Sequence, residues 1–281
     1  MKKVLVLGST GMLGHQVVLN LTQNTDLQVF DLSFRNKFRE QTIICDVTDF
    51  KKLELVIEGI KHHFIVNCIG VLIKGSNENP KNSILINSYL PHFLVDECDR
   101  IGAKLIHIST DCVFSGKKGG YLESDFKDAG DVYGRSKALG EFNSKRHLIL
   151  RTSIIGPELK KNGEGLFNWV INQKNEVLGY SQAFWSGVTT FELANIIKFS
   201  LNNDFSGLIN ITNGEKISKF KILELLKLEL NLKLNVIPFE EKKVDKSLKS
   251  NYEGFFYKYK KYDEMIKEMC EVYLSSNLYG F

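Results

Sequence analysis

Apolar residues along this chain alternate between short continuous runs and longer segments with helical spacing. Four runs are typical of strands buried on both faces, at residues 4–7, 27–32, 64–68 and 104–108. Between them, apolar positions three or four residues apart predict helices, for example over 13–23 and 50–60. Buried strands that alternate with helices predict an α/β fold in which a parallel sheet is covered on both faces.

This pattern changes near residue 155. Beyond it, helical segments are separated by short strands such as 207–211, without a disordered linker. We therefore predict a first domain over residues 1–155 and a smaller C-terminal α/β substrate lobe over residues 156–281. Exchange of chain segments between the two lobes is left open.

Three glycines follow the first apolar run, in the stretch GSTGMLG. A strand that turns on glycine into a helix directs backbone N–H groups and the positive helix end at one point, which suits a pyrophosphate. Gly8 would make the tight turn, Gly11 would let phosphates approach, and Gly14 would let helix and strand pack closely. The G-x-x-G-x-x-G spacing is one residue wider in its first gap than the usual dinucleotide fingerprint. It predicts a dinucleotide-binding turn in a Rossmann-type, doubly wound sheet; a glycine-rich turn without a ligand is the alternative.

Composition indicates the cellular compartment and limits the classes of partner that we expect. Hydrophobic content of 43% and charged content of 25% are ordinary for a globular protein. No apolar run reaches the ~18 residues needed to span a bilayer. The five cysteines are scattered without metal-ligand spacing, as free thiols in a reducing compartment are, and the net charge of +4 is too small to indicate a nucleic-acid partner. We expect a cytoplasmic protein without membrane, metal or nucleic-acid partners.

Tyr133 and Lys137, in the stretch VYGRSK, lie four residues apart in a predicted helix and so share one face. A neighbouring ammonium is expected to lower the tyrosine pKa from its usual value of about 10. Thr110, near the end of a predicted central strand, could hold a carbonyl oxygen while the tyrosine delivers a proton. The set predicts hydride transfer between a nicotinamide and a C–OH/C=O carbon. Tyr257 and Lys261 repeat the spacing without an upstream strand-end hydroxyl, and we interpret them as structural.

Four motifs together resemble the extended short-chain dehydrogenase/reductases: GSTGMLG, STDCVFSG, GYLESD and VYGRSKALGE. Within that family the chain is most similar to the dTDP-4-dehydrorhamnose reductases, from residue 1 to about residue 215. The resemblance implies an NAD(P)H-dependent reductase of a nucleotide-linked 4-keto-6-deoxy sugar, N-acetylated or not, that supplies surface polysaccharide. Two alternatives remain. One is a sugar-nucleotide epimerase that retains its cofactor, and the other is a non-catalytic nucleotide-binding subunit like the β-subunit of methionine adenosyltransferase.

The resemblance also assigns roles to individual residues. Thr110, Tyr133 and Lys137 form the catalytic triad, and Tyr133 and Lys137 also contact the cofactor, Lys137 at the nicotinamide ribose. The other implied cofactor contacts are Gly8, Ser9, Thr10, Gly11, Met12, Leu13, Gly14, Asp31, Arg35, Asp46, Val47, Cys68, Ile69, Gly70 and Asn87. Of these, Asp46 and Val47 would contact the adenine. The implied substrate contacts are Lys74, Thr110, Asp111 and Trp185. Cys112 and Ile154 stand where the family has aromatic residues, so the identity of the sugar is left open. Formation of a homodimer is also left open.

Two residues compete to select the coenzyme. Asp31 lies about twenty residues beyond the glycine turn, where an acid binds the ribose hydroxyls and selects NAD. If the strand continues to Leu32, Asp31 lies inside it and the tip becomes Ser33-Phe34-Arg35. The guanidinium of Arg35 would then suit the 2′-phosphate of NADP. We expect NADPH as the coenzyme, with NADH also accepted.

Overall fold

The computed structural model describes residues 1–161 and 163–279; residues 162, 280 and 281 of the predicted second lobe lie outside the described residues. Its strands are β1 (Lys2–Leu7), β2 (Leu27–Ser33), β3 (Ile43–Ile44), β4 (Phe64–Asn67), β5 (Lys104–Thr110), β6 (Leu148–Thr152), β7 (Ile154–Ile155), β8 (Asn175–Tyr180), β9 (Ala183–Trp185), β10 (Val188–Thr189), β11 (Gly207–Asn210), β12 (Ile217–Ser218), β13 (Leu234–Phe239) and β14 (Val244–Asp245). Its helices are α1 (Gly14–Thr22), α2 (Phe50–Ile60), α3 (Ile73–Glu78), α4 (Pro80–Ser83), α5 (Leu90–Ile101), α6 (Val132–Leu139), α7 (Leu166–Ile171), α8 (Thr190–Leu201), α9 (Lys219–Glu229) and α10 (Tyr262–Ser275), with a π-helical stretch at Ile84–Tyr89 and 3-10 turns at Asp111–Val113 and Asn277–Tyr279. Across the described ranges, no helix is both long enough and apolar enough to cross a membrane.

Seven strands form one parallel sheet in the order β11-β6-β5-β4-β1-β2-β3. The order reverses at β1, because β2 and β3 extend to one side of it and β4, β5, β6 and β11 to the other. In open sheets of this kind, ligands bind beyond the carboxyl ends of the strands at the point of reversal. The predicted Rossmann-type fold is therefore confirmed, and the turn after β1 lies at the ligand-binding edge.

Two apolar clusters cover the two faces of this sheet. Val4 and Val6 pack into a cluster that includes residues of α1, α8, α9 and α10, whereas Leu5 and Leu7 pack into a second cluster with residues of α2 and α5. All four side chains are fully buried. Successive side chains of a strand point to opposite faces, so a strand covered on both sides has an unbroken apolar run.

The chain beyond residue 155 contributes a strand and a helix to the large sheet and its cover, and it also forms most of the smaller sheets. β11 pairs with β6 at the edge of the large sheet, and α8 lies against α1, where Asn20 Nδ2 donates a hydrogen bond to Asn195 Oδ1 at 2.7 Å. The smaller sheets pair β13 with β8 and β7 with β10, and arrange three more strands as β12-β9-β14. The division near residue 155 and the exchange of segments between lobes both stay predictions.

Three of the differences from the sequence prediction affect the candidate site. β5 continues through Thr110, two residues beyond the predicted end. The sequence pattern predicts a helix over 132–142, but α6 ends at Leu139, with Gly140 as its C-cap. Apolar spacing from Pro80 to Leu94 predicts one helix, but the structure has the π-helical stretch Ile84–Tyr89 between α4 and α5. The first two differences place the candidate catalytic residues at element ends, and the third changes how Asn87 contacts its neighbours.

Candidate functional site

The glycine turn after β1 is built by close backbone contacts. Gly8 has a φ of +86°, which L side chains rarely adopt, and its N–H donates to the Leu32 carbonyl at 2.8 Å. Ser9 is fully buried, and its N–H donates to the same carbonyl at 3.0 Å. A Cβ on Gly14 would lie only 2.0 Å from the Gly8 carbonyl oxygen. Helix α1 therefore starts against the turn, in a cradle that any side chain at Gly14 would fill.

A cavity of about 580 Å³ lies beyond this turn. Eleven of the sequence-predicted site residues line it: Thr10, Gly11, Met12, Leu13, Cys68, Ile69, Gly70, Thr110, Asp111, Tyr133 and Lys137. Its wall thus combines the glycine turn with the ends of β4 and β5 and with one face of α6. The glycine turn and the candidate catalytic side chains thus meet at the carboxyl ends of the strands, where a Rossmann arrangement places its ligand.

Thr110 ends β5 with its hydroxyl held by local hydrogen bonds. Its Oγ1 accepts from the Cys112 N–H at 3.1 Å and donates to Asp111 Oδ1 at 3.2 Å. Burial raises the pKa of the Asp111 carboxyl, while the nearby Lys246 cation and the Thr110 hydroxyl oppose that rise. The hydroxyl is therefore fixed at the cavity wall. Its hydrogen bond to Asp111 is long and weak, so a ligand oxygen could replace the carboxylate as acceptor.

Tyr133 and Lys137 face the same cavity from α6. Asp131 precedes the helix as its N-cap, and its carboxylate accepts from the Gly134 N–H at 2.8 Å. Gly134 allows a close approach, because a Cβ there would lie 2.2 Å from the Cys112 carbonyl oxygen. Lys137 Nζ donates to the Ile108 carbonyl of β5 at 2.7 Å. The helix that carries the pair is thus held directly against the strand that carries Thr110.

Burial governs the protonation of both side chains. It raises the pKa of the Tyr133 hydroxyl well above its usual value, and the neighbouring Cys112 and Asp111 act in the same direction. The expectation that the lysine would lower the tyrosine pKa is wrong for the protein alone, since desolvation outweighs any such effect. Burial also lowers the pKa of Lys137 from 10.5 to about 8, against the attraction of Glu141. At neutral pH, Tyr133 keeps its proton and can act as a donor.

The pKa of Lys137 predicts a dependence of stability on pH. Because the folded pKa lies near 8 and the ordinary value is 10.5, the unfolded chain binds more protons between these values. The unfolding free energy from this group therefore rises with pH across that range. We expect the free energy of unfolding of wild type, relative to that of Lys137→Met, to increase by about 2–3 kcal/mol between pH 7 and pH 10. Urea unfolding of both proteins at several pH values measures this, and a constant difference would contradict the assignment.

Asn87 is not part of the described cavity wall, but it contacts segments that are. It lies in the π-helical stretch, a feature often found at functional sites. Its Oδ1 accepts from the Val71 N–H at 2.8 Å, and its Nδ2 donates to the Val71 carbonyl at 3.0 Å and to Ser136 Oγ at 3.0 Å. Asn87 thereby ties the segment after β4 to helix α6.

Asp31 and Arg35 are separated by the end of β2. The strand continues to Ser33, and the Asp31 carboxylate is fully buried. Arg39 Nε donates to its Oδ1 at 2.5 Å and Thr42 Oγ1 to its Oδ2 at 2.7 Å. Asp31 therefore holds the following loop in place, and its engaged carboxylate does not support a ribose contact. Arg35 is exposed, with its guanidinium 4.5 Å from the centre of the Phe34 ring.

Four further predicted residues lie outside the cavity wall among the described residues. Asp46 Oδ1 accepts from Thr48, and Val47 is buried in the apolar core. Lys74 is exposed on α3, although its neighbours Ile73 and Gly75 line the cavity. Trp185 is buried, with its ring 5.8 Å from that of Tyr262. Tertiary packing directs Lys74 to solvent and Trp185 into the core, so neither lines the described cavity wall, and their substrate contacts stay a prediction.

The sequence analysis missed several residues of the cavity wall. They belong to the segment after β6 and include Thr152, Ser153, Glu158, Leu159, Lys160, Glu164 and Gly165. Thr152 and Ser153 lie at the carboxyl end of β6, so the strand-end rule could have identified them. Cys112 and Ile154, which stand where the resemblance implies aromatic residues, also line the cavity.

Comparison with known proteins agrees with this arrangement. The RmlD substrate binding domain family matches residues 1–246. The β-subunit of methionine adenosyltransferase 2 from Danio rerio is 31% identical over 57% of this chain, and the match spans about half of that relative's length (50%). Spore coat polysaccharide biosynthesis protein SpsK from Bacillus subtilis is 26% identical over 84% of this chain and 82% of its own. The dTDP-4-dehydrorhamnose reductase of Bacillus anthracis, solved in complex with NADP, superposes with a TM-score of 0.82 at 22% identity, over 96% of this chain and 98% of that one.

Proposed function

The chain belongs to the RmlD substrate binding domain family, and from this premise we propose that it reduces a nucleotide-linked 4-keto-6-deoxy sugar with NADPH. One observation carries the proposal. Thr110, Tyr133 and Lys137 converge on a single cavity whose other wall is the glycine turn. A reductase needs a proton donor and a dinucleotide turn on the same cavity, and this arrangement supplies both.

The chain's own residues account for proton delivery. In the proposed reaction the Thr110 hydroxyl leaves Asp111 and donates to the ketone oxygen at C4. Tyr133 then transfers its proton to that oxygen, and Lys137 holds a positive charge beside the pair at neutral pH. When bound, the dinucleotide would supply the hydride that reduces C4. The ketone, one hydride and one proton give the C4 alcohol, so the step balances.

The glycine turn fits a dinucleotide on structural grounds. The cradle at Gly8 and Gly14 leaves no room for a side chain, and such turns receive pyrophosphate at the start of the following helix. Met12 and Leu13 would lie along the bound group, as would Cys68 and Ile69, which follow the neighbouring strand β4. The solved relative from Bacillus anthracis holds NADP, which supports the same coenzyme here.

Arg35 is the proposed determinant of NADPH preference. Its exposed guanidinium at the tip of β2 is free to bind a 2′-phosphate, whereas the Asp31 carboxylate is engaged. We expect Arg35→Ala to raise the KM for NADPH about tenfold, a loss of ~1.4 kcal/mol, and to leave the KM for NADH nearly unchanged. Lys37→Ala is the matched control, because Lys37 Nζ already donates to the Glu40 carbonyl at 2.8 Å. Equal KM values for wild type and Arg35→Ala would show that Arg35 does not select the coenzyme.

A regulatory, non-catalytic role is the second candidate, favoured by the 31% identity to a methionine adenosyltransferase subunit. The experiment that separates the two is incubation of the purified chain with NADPH and a panel of NDP-4-keto-6-deoxy sugars, N-acetylated sugars included. A reductase consumes NADPH in proportion to product with no partner protein present. An epimerase would leave the ketones and NADPH unchanged, and in a parallel incubation with NAD⁺ and NDP-sugars that carry a C4 hydroxyl it would convert substrate with no net change in the dinucleotide. Dinucleotide binding without any conversion would favour the regulatory role.

Several finer statements stay predictions. They are a supply of surface polysaccharide, in line with the name of the Bacillus subtilis relative, a homodimer and a cytoplasmic location. Light scattering of the purified protein would test the homodimer directly. The identities of the base and the sugar follow from the substrate panel, in which the cavity residues Cys112 and Ile154 are the expected contacts of the sugar.

A further inference from the structure

A buried hydrogen-bond chain connects the end of the protein to the glycine turn. Tyr279 lies in the last 3-10 turn, and its hydroxyl is 2.8 Å from His15 Nε2. The other ring nitrogen, His15 Nδ1, is 2.8 Å from the Gly11 carbonyl oxygen. Gln16 Nε2 donates to the Tyr279 hydroxyl oxygen at 2.5 Å. His15 and Gln16 open helix α1, and all three side chains are buried.

The direction of each hydrogen bond follows from the chemistry of its atoms. A carbonyl oxygen only accepts, so His15 Nδ1 carries the proton that binds Gly11. In a neutral imidazole the second nitrogen then accepts, and the Tyr279 hydroxyl is its donor. Burial lowers the pKa of His15, which keeps the ring neutral. Gln16 fills the remaining acceptor site on the Tyr279 oxygen, so each of these donors has an acceptor.

This chain controls the orientation of one peptide group at the cavity. The Gly11 carbonyl and the Met12 N–H belong to the same planar trans peptide and point in opposite directions. Holding the carbonyl on the side of His15 therefore turns the Met12 N–H to the other side, and Gly11 and Met12 both line the cavity. A backbone N–H fixed in this way can bind a phosphate oxygen without reorganising first.

The same imidazole also contacts the loop that carries Arg35. The ring of Phe38 lies 6.2 Å from that of His15 in an edge-to-face arrangement. The ring of Tyr279 lies 5.7 Å from the same imidazole, also edge to face. His15 is thus packed between the glycine turn, the loop after β2 and the C-terminal 3-10 turn.

We propose that Tyr279 is a positioning residue for the dinucleotide, acting through His15 to hold the Gly11–Met12 peptide in its binding orientation. The inference rests on the proposed function, because it assigns a role toward the dinucleotide of that reaction. It concerns the pyrophosphate, which NADPH and NADH share. Loss of the Tyr279 hydroxyl should therefore weaken both dinucleotides equally, in contrast to loss of Arg35.

Tyr279→Phe removes the hydroxyl and keeps the ring packing. We expect the dissociation constants of NADPH and NADH, measured by fluorescence titration of the full chain, to rise together by about tenfold. The turnover number at saturating dinucleotide should stay within about twofold, since proton delivery by Tyr133 is untouched. Tyr273→Phe is the matched control: its ring lies 5.2 Å from that of Tyr279, and among the described residues its hydroxyl makes no hydrogen bond.

A double-mutant cycle tests the route through His15. In a His15→Phe background the Tyr279 hydroxyl has no imidazole to bind, so Tyr279→Phe should weaken binding no further. Amide hydrogen exchange of the ligand-free protein adds a second readout. We expect faster exchange at residues 8–15 in Tyr279→Phe, and no change in Tyr273→Phe.

The outcomes separate this inference from the proposed function. Wild-type protein that binds neither NADPH nor NADH would overturn both. Wild-type binding with unchanged constants in Tyr279→Phe would overturn the positioning role alone. Additive effects in the cycle, or a weakening confined to NADPH, would overturn the route through His15 and the pyrophosphate.

Discussion

Replacing Tyr133 with Phe is expected to lower the turnover number for ketone reduction by about 10²–10⁴-fold, the usual loss when a positioned acid is removed. Burial keeps the Tyr133 hydroxyl protonated at neutral pH, which supports it as the proposed proton donor of the site. The ring that remains in Tyr133→Phe preserves the packing of α6. Binding of NADPH should therefore survive, and steady-state kinetics together with a binding titration measure both quantities.

Tyr257→Phe is the control for this experiment, because Tyr257 and Lys261 repeat the same spacing. In the structure this second pair precedes α10 in an irregular segment, and Tyr257 packs against Phe199 and Tyr259. Neither Tyr257 nor Lys261 is part of the described cavity wall. The control should keep its turnover number. Equal losses in both variants would mean that Tyr133 has no special role.

Replacing Gly14 with Ala is expected to weaken dinucleotide binding by about 10²-fold, or ~2.8 kcal/mol, because relief of the overpacked contact must move the turn away from its binding geometry. The added methyl would lie 2.0 Å from the Gly8 carbonyl oxygen and 2.7 Å from the Gly8 carbonyl carbon. Both are backbone atoms, so the helix or the turn must move. The overpacking should also lower the free energy of unfolding by about 1–3 kcal/mol. Titration with NADPH and urea unfolding measure the two effects.

Gly59→Ala provides the matched control within the same protein. Gly59 lies in α2, and a Cβ there would meet no atom within 4 Å. Alanine is the better helix former, so this variant should gain up to about 1 kcal/mol of stability and bind NADPH as wild type does. A Gly14→Ala variant that resembles Gly59→Ala in both measurements would contradict the close contact at the turn.

The parts of the site that follow from local sequence could be predicted. The buried run of β1, the glycine turn and the four-residue spacing of Tyr133 and Lys137 each depend on residues close together in the chain. The rule that ligands bind at carboxyl strand ends then places Thr110 beside them. These elements meet at one cavity in the structure.

The remaining details depend on contacts between distant segments, which the sequence pattern does not encode. Asp31 is engaged because Arg39 and Thr42 fold back from the loop that follows. Trp185 enters the core because Tyr262 of α10 packs against it. The direction of the Tyr133 pKa shift required knowing that burial outweighs the neighbouring lysine. The contact between Tyr279 and His15 joins residues 264 positions apart.

The reaction we propose transfers a hydride from NADPH to C4 of a sugar nucleotide while Tyr133 of this chain supplies the proton. Its most direct measurement uses NADPH deuterated at the transferable position, a dTDP-4-keto-6-deoxy sugar and mass spectrometry of the product. We expect one deuterium at C4 and one NADPH consumed for each product formed, with both lost in Tyr133→Phe. Product without deuterium, or NADPH consumption that Tyr133→Phe leaves unchanged, would contradict the account.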